Sequence, residues 1–254
     1  MTDERAVSEV VGFVLVFSLV LGTITVVYVG GFTGLQDTRD HEQMANAERA
    51  FDVLANNLQE IGRGKAPSRA TEIKLSDATI TLDERYEANV TVDGTPYVAA
   101  PRSITYHGSG RTKIVYEHGA VIRQEADGAV MIREPDFIFT EGRAVLRHIS
   151  LRGGQQNLGG STTVLIRAEG NSPQLLYPPP GGDMDVTGSD VNISLQTRPE
   201  RTGTWKRYLE SQDQTSSCTV WPDVPDQDTH ETVNCSLTVD SLAISKTDVD
   251  VTLV

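Results

Sequence analysis

The sequence predicts an α+β protein: a long N-terminal helix, transmembrane at first and amphipathic later, followed by a mainly antiparallel, β-sandwich-like outer domain. Three observations predict it. Residues 10–29 are twenty consecutive positions without a charge, fourteen of them Val, Leu, Ile or Phe. Residues 44–61 carry apolar side chains at helical spacing. Beyond Pro67 the pattern changes to short alternating runs rich in Val, Ile, Thr and Tyr.

At about 1.5 Å per residue the uncharged run is roughly 30 Å long, the thickness of a bilayer core. Its side chains favour insertion by about 4 to 8 kcal/mol. A secretory signal core is shorter and ends in a small-x-small cleavage site. Here the exit reads "YVGGFTGLQDTRD", which has no Ala-x-Ala. Arg5 precedes the run and the first basic residue beyond it is Arg39, which favours a cytoplasmic N-terminus and an exported C-terminal bulk.

Upstream, a short polar leader "MTDER" is followed by Ala6 and then "VSEVVGFVLVF", with the carboxylate of Glu9 just before the apolar run. This arrangement resembles the class III signal of archaeal type IV pilin-like proteins. With "VYVGGFTGLQDTRD" and "NAERAFDVLANNL" it is similar to haloarchaeal pilin-like proteins of unassigned function, over the first third of the chain. The resemblance implies a leader of residues 1–6, cut between Ala6 and Val7 by a prepilin peptidase on the cytoplasmic side. It implies a transmembrane helix of residues 7–31 that stays in the product. Many type IV pilins carry Glu as the fifth residue of the mature chain, whereas Glu9 would be the third. Both a place in the headgroup layer and a role in assembly therefore stay open for it. Gly12, Ser18 and Gly22 are small enough to let helices approach closely.

The helix continues past Gly30, Gly31 and Gly34, where a bend is expected. Met44, Ala47, Phe51, Leu54, Leu58 and Ile61 then form one apolar seam, within an amphipathic segment of residues 32–64. Gly62, Gly64 and Pro67 supply its stop signals. Such a seam packs on the protein's own β-domain, and in a filament it would also meet other subunits.

A β-rich domain is expected over residues 68–176, with a three-stranded meander at 102–124 turned by "YHGSGRT" and "EHGAV". "YPPPGGD" marks a break. Residues 183–254 read as a β-rich lobe with a short helix near 204–212, capped by Thr204, whose face of Trp205, Tyr208 and Leu209 packs on the sheet or, as the alternative, stays exposed to recognise a ligand.

Net charge is −13, with 22 basic against 35 acidic residues, and Arg far outnumbers Lys. An acidic surface repels polyanions, so nucleic acid is not an expected partner. The balance fits a surface that stays soluble in concentrated salt, and, with the N-terminal resemblance, a halophilic source. Cys218 and Cys235 are the two cysteines, and in an exported domain a disulfide is the default, two buried thiols the alternative. Asn89, Asn192 and Asn234 open Asn-x-Ser/Thr triplets, candidates for glycosylation.

Catalytic machinery is not visible. His41, His107, His118, His148 and His230 are scattered, and no phosphate-binding glycine motif occurs. "DMDVTGSD" suggests a weak cation loop through Asp183, Asp185 and Asp190, but Ser194 stands where a bidentate Glu belongs. No cofactor and no enzymatic activity are expected. The function expected is a type IV pilin-like subunit, held in the membrane by its helix, with lipid, the peptidase and sister pilins as partners. The alternative is a membrane-anchored surface protein that binds something through its β-domain and never polymerises.

Overall fold

The computed structural model describes residues 3–108, 110–222 and 230–254, without the side chains of residues 3–9, 29, 31–34, 36, 37 and 84. It has two compact units, Met1–Gln43 and Met44–Val254. Helix α1 (Asp3–Gly62) supplies the first unit and opens the second. Gly30, Gly31 and Gly34 lie inside α1 and do not end it. Glycine costs a helix only about 1 kcal/mol relative to alanine, which an apolar segment with internally satisfied backbone tolerates.

In the first unit, Val10–Tyr28 has a mean hydropathy of 2.7 and none of it is buried. It is long and apolar enough to cross a membrane.

The second unit opens on the last turns of α1. Among the described residues, seventeen strands and one helix follow: β1 (Ser68–Lys74), β2 (Ala78–Arg85), β3 (Ala88–Val92), β4 (Thr95–Ala99), β5 (Arg102–His107), β6 (Lys113–Glu117), β7 (Ala120–Glu125), β8 (Gly128–Arg133), β9 (Phe137–Thr140), β10 (Arg143–Arg152), β11 (Gln156–Gly160), β12 (Thr163–Gly170), β13 (Gln174–Tyr177), β14 (Val191–Thr197), α2 (Pro199–Glu210), β15 (Thr215–Pro222), β16 (Glu231–Leu237) and β17 (Ser241–Leu253). They form three sheets, in the orders β1-β12-β17-β10-β9 with β13 also on β17, β11-β2-β5-β6-β7-β8, and β15-β16-β14-β3-β4. Among the described residues, pairing is antiparallel apart from β10 with β17. Those two can run parallel because a long crossover, including most of the third sheet and α2, separates them. The expected meander is β5-β6-β7, and His118 and Gly119 turn its second hairpin with φ of 48° and 90°, as a two-residue type I′ turn requires.

The segment after the "YPPPGGD" break does not stand apart as a lobe. β14 pairs with β3, and β17 pairs with β10 and β12, so strands from both sides of the break share two sheets.

Two apolar cores result. The first gathers Phe51, Leu54 and Leu58 of α1 with Ile80, Tyr116, Ile166 and Val251. The second gathers Val90, Ile193, Trp205 and Val233 with Leu146 and Ile244. β10 and β17 serve both. Along β10 the core residues are Ala144 and Leu146, then Ile149 and Leu151; along β17 they are Leu242 and Ile244, then Val249 and Val251. Each strand passes from even to odd numbering, and side chains alternate faces with period 2. The pair therefore buries one face at its start and the opposite face at its end.

The α1 seam packs on its own β-domain. Ala47, Phe51, Leu54, Leu58 and Ile61 are buried and Met44 is partly so. Arginines hold the polar flanks: Arg133 donates to Asp52 (2.6 Å) and Gln59 (2.8 Å), and Arg123 to Glu48 (3.2 Å). Helix α1 stops as its glycines predict. Lys65 N–H donates to Glu60 O and Gly64 N–H to Ile61 O, a Schellman closure with Gly64 at φ 68°.

Helix α2 begins at Pro199, earlier than residue 204. Proline fits the first helical position because its fixed φ suits the helix and its missing N–H would be unpaired there. Thr204 is therefore not a cap; its hydroxyl lies mid-helix and donates to Ala129 O at 2.6 Å. Trp205, Tyr208 and Leu209 are buried together.

Candidate functional site

In the first unit the candidate residues sit along α1. Ala6, Val7 and Glu9 fall in its first turns, and their side chains lie outside the described residues. Ser18 and Gly22 are one turn apart on one face, and Gly12 is about a third of a turn round from Ser18. A Cβ placed on Gly12 or Gly22 would meet nothing within 4 Å, so both positions are open to an approaching surface.

Cys218 and Cys235 form a disulfide between the directly paired strands β15 and β16. Asn89, Asn192 and Asn234 fall within β3, β14 and β16, each half-buried. Asp183, Asp185 and Asp190 do not gather. Asp183 Oδ1 accepts from the backbone N–H of Asp185, and Asp185 Oδ1 from that of Thr187, so these carboxylates cap their own turns. Among the described residues no three His, Cys, Asp or Glu side chains come together as metal ligands would.

The buried charge centre at α2 has no signature in the sequence. Glu117 ends β6, and one of its oxygens accepts from Arg201 Nε (3.1 Å) and a terminal guanidinium nitrogen. The other accepts from Thr197 Oγ1 (2.5 Å) and Trp205 Nε1 (2.8 Å). Arg201 also donates to Gln124 (2.8 Å), and its guanidinium lies 5.8 Å from the Tyr86 ring centre. Burial would raise the Glu117 carboxyl, but Arg201 foremost, with its hydrogen bonds, holds it below the ordinary value. Burial pushes the His118 imidazole down; its Nε2 meets Gln196 O at 2.7 Å and its Nδ1 has no partner. A carboxylate, an imidazole and a guanidinium in one place resemble catalytic equipment. With the carboxylate saturated by four donors and Glu117, His118 and Arg201 each at most 3% exposed, the group acts as a structural ion pair.

Openings lie elsewhere. A cleft of about 840 Å³ runs between the β7–β8 hairpin and α2, lined by Arg123, Glu125, Asp127, Glu200 and Arg207 among others. A second, of about 310 Å³, sits over Glu87, Asn89, Ser194, Gln196 and Thr232 on the third sheet.

A model of a protein family described as a family of unknown function (DUF7289) matches residues 5–252. The chain belongs to this family. The match covers the apolar stretch of α1 and the β-domain alike. An uncharacterized protein of Archaeoglobus fulgidus is 30% identical over 81 residues, which is 32% of this chain and 27% of that protein. This chain thus spans about a quarter of that relative's length. No solved structure matches.

Proposed function

We propose that this DUF7289 chain is a type IV pilin-like subunit: a membrane-anchored protein whose N-terminal helix is retained after the leader is removed and whose acidic β-domain is presented outside. The observation that carries the reading is the contrast along α1. The span Val10–Tyr28 is wholly unburied and strongly apolar, whereas the seam from Ala47 to Ile61 is buried in the protein's own core. An apolar surface of that size needs lipid or other helices to cover it.

The leader "MTDERA" before "VSEVVGFVLVF" supports a cut after Ala6. The disulfide supports an exported domain, since such bonds persist in oxidising compartments. In this reading the three sheets layer in sandwich fashion about the two cores, and the helix inserts with its N-terminus cytoplasmic. The protein assembles and presents; it catalyses nothing. The second reading, a surface protein that binds through its β-domain without polymerising, draws on the open clefts of that domain.

N-terminal mass spectrometry of the membrane-extracted protein tests the first part. A mature chain beginning at Val7 is expected, and a chain beginning at Met1 or beyond Gly31 removes the pilin reading. Shearing cells and recovering the protein in filaments supports assembly; recovery only as membrane-bound monomer favours the second reading.

A further inference from the structure

Across four strands of the third sheet the outward face carries amides and hydroxyls in register, while the edge strand β4 sets Val98 and Pro96 beside Asn89 and Thr91. Across β3, β14 and β16 one row sets Asn89 beside Ser194 and Asn234, and the next sets Thr91 beside Asn192 and Ser236. Strand β15 extends these rows with Thr219 and Ser217, and a further row places Gln196 and Thr232 beside Trp221. The opposite face buries Val90, Ile193, Leu195 and Val233. This register explains the three Asn-x-Ser/Thr triplets without invoking modification. Residues i and i+2 share a strand face, so a face made of Asn, Ser and Thr spells the triplet wherever Asn comes first.

The composition of the face is unusual for this chain. Charged residues make up 22% of the sequence, yet among the described residues no outward position of β3, β14, β15 or β16 carries one. Glu87 stands at the rim, just before β3. Asn89 lines the cleft of about 310 Å³ with Glu87, Ser194, Gln196 and Thr232, and its Oδ1 has no hydrogen-bond partner within the protein. Asn234 Oδ1, in the same row, likewise has no hydrogen-bond partner within the protein. Trp221 is 56% exposed on the same face, whereas Trp205 is fully buried.

We propose that this face is a carbohydrate-binding surface for a neutral polyhydroxylated chain. Asn89 and Ser194 take its hydroxyls, Glu87 accepts from others at the rim, and Trp221 offers a flat apolar surface to a sugar ring. Amides and hydroxyls both donate and accept, as sugar hydroxyls do. An anionic ligand finds no counter-ion on the face, and a polyanion meets the net negative field of the domain. An apolar protein partner would leave the amides desolvated and unpaired. The inference goes beyond the anchoring role and does not depend on whether the chain enters a filament.

The test uses the full chain in detergent micelles at high salt, titrated with dextran and with yeast mannan as neutral probes and with alginate as an acidic one. Trp205 is sealed in the core, so a saturable change in tryptophan emission reports Trp221. Saturation by a neutral probe and none by alginate is expected. In Asn89→Ala and Ser194→Ala, whose circular dichroism and melting must match the parent, affinity falls by roughly tenfold or more. No response to either neutral probe, equal response to alginate, or unchanged affinity in folded variants overturns the proposal. So does peptide mapping of the native protein that finds Asn89 itself carrying a glycan, because the face is then an attachment site.

Discussion

Glu117 and Arg201 form an ion pair across 84 positions of sequence, and neither side chain reaches solvent. The pair ties the β6–β7 hairpin to the first turns of α2, and Trp205 donates to the same carboxylate from one turn further on. Burial of both charges is unfavourable on its own, so the arrangement depends on every lone pair being used.

Removing one member should therefore cost about 3–5 kcal/mol, as for other broken buried pairs. Glu117→Gln leaves the guanidinium without a counter-charge while the amide oxygen still accepts from Thr197 and Trp205. Adding Arg201→Met removes the stranded charge and should recover part of the loss. Urea unfolding of the two single variants and the double variant measures this. Strictly additive losses would show that the two side chains are not coupled.

His148 gives the stability a pH dependence. It is buried where β10 changes its buried face, its Nε2 has no partner, and the Phe137 ring stands edge-on 5.3 Å away. Burial foremost, with the nearby His118, pushes its pKa down from 6.5 to about 3. The unfolded chain takes up a proton near pH 6.5 that the folded chain refuses. The folded state is thus fully favoured above pH 6.5 and loses stability as pH falls towards 3, by about 1.4 kcal/mol per pH unit from this residue. Urea midpoints at pH 7.5, 6 and 5 should decline, and His148→Gln should flatten the decline. An equal slope in the variant would assign the effect to other groups.

Gly170 has a steric reason to be glycine. A Cβ there would lie 2.0 Å from Ile61 Cγ2, at the end of the α1 seam. Gly170→Ala should destabilise by about 1–3 kcal/mol through overpacking. Ile61→Ala alone leaves a cavity, but combined with Gly170→Ala it should cost less than the sum. Thermal melts of the four proteins close the cycle, and a sum with no coupling would mean that the helix end shifts freely.

Elements governed by local periodicity were legible in the sequence. The α1 seam from Met44 to Ile61 repeats at helical spacing, and burial follows it residue by residue. The His118-Gly119 turn carries its own chemistry, so the meander followed. The reversal in β10 is written in "VLRHISL", where Leu146 and Ile149 have opposite parity, but only a partner on each face gives that change a meaning. Glu117 and Arg201 left no trace because no spacing rule relates residues so far apart. Thr204 misled because a hydroxyl before an apolar helical face reads as a cap, while Pro199 had already started the helix. Asn89, Asn192 and Asn234 were readable as triplets but not as one face, which needs the register of three strands.

The Cys218–Cys235 bond closes a loop with a separation of 17 residues. In the chain-entropy model this stabilises by about 3 kcal/mol. Reduction, or Cys218→Ser with Cys235→Ser, should lower the urea midpoint without altering the first core, which lies on other strands. A loss well under 1 kcal/mol would mean that the β15–β16 pairing already restrains this loop in the unfolded chain.

The division at Gln43 predicts a separable outer domain. Residues 44–62 contribute Phe51, Leu54, Ala55 and Leu58 to the first core with none of them exposed beyond 1%, so a truncation must keep this half of α1. A chain beginning at Met44 retains every strand, both cores and the Arg63–Asp136 bridge (2.6 Å), and loses the unburied span. It should be soluble without detergent and melt as one cooperative unit. A chain beginning at Gly64 instead exposes the sheet surface that the seam covers, and at about 25 cal/mol per Å² of apolar area that loss exceeds the stability of an ordinary domain. It should aggregate or remain unfolded. If the longer truncation also needs detergent, the amphipathic half of α1 is itself part of the membrane-bound or assembled surface.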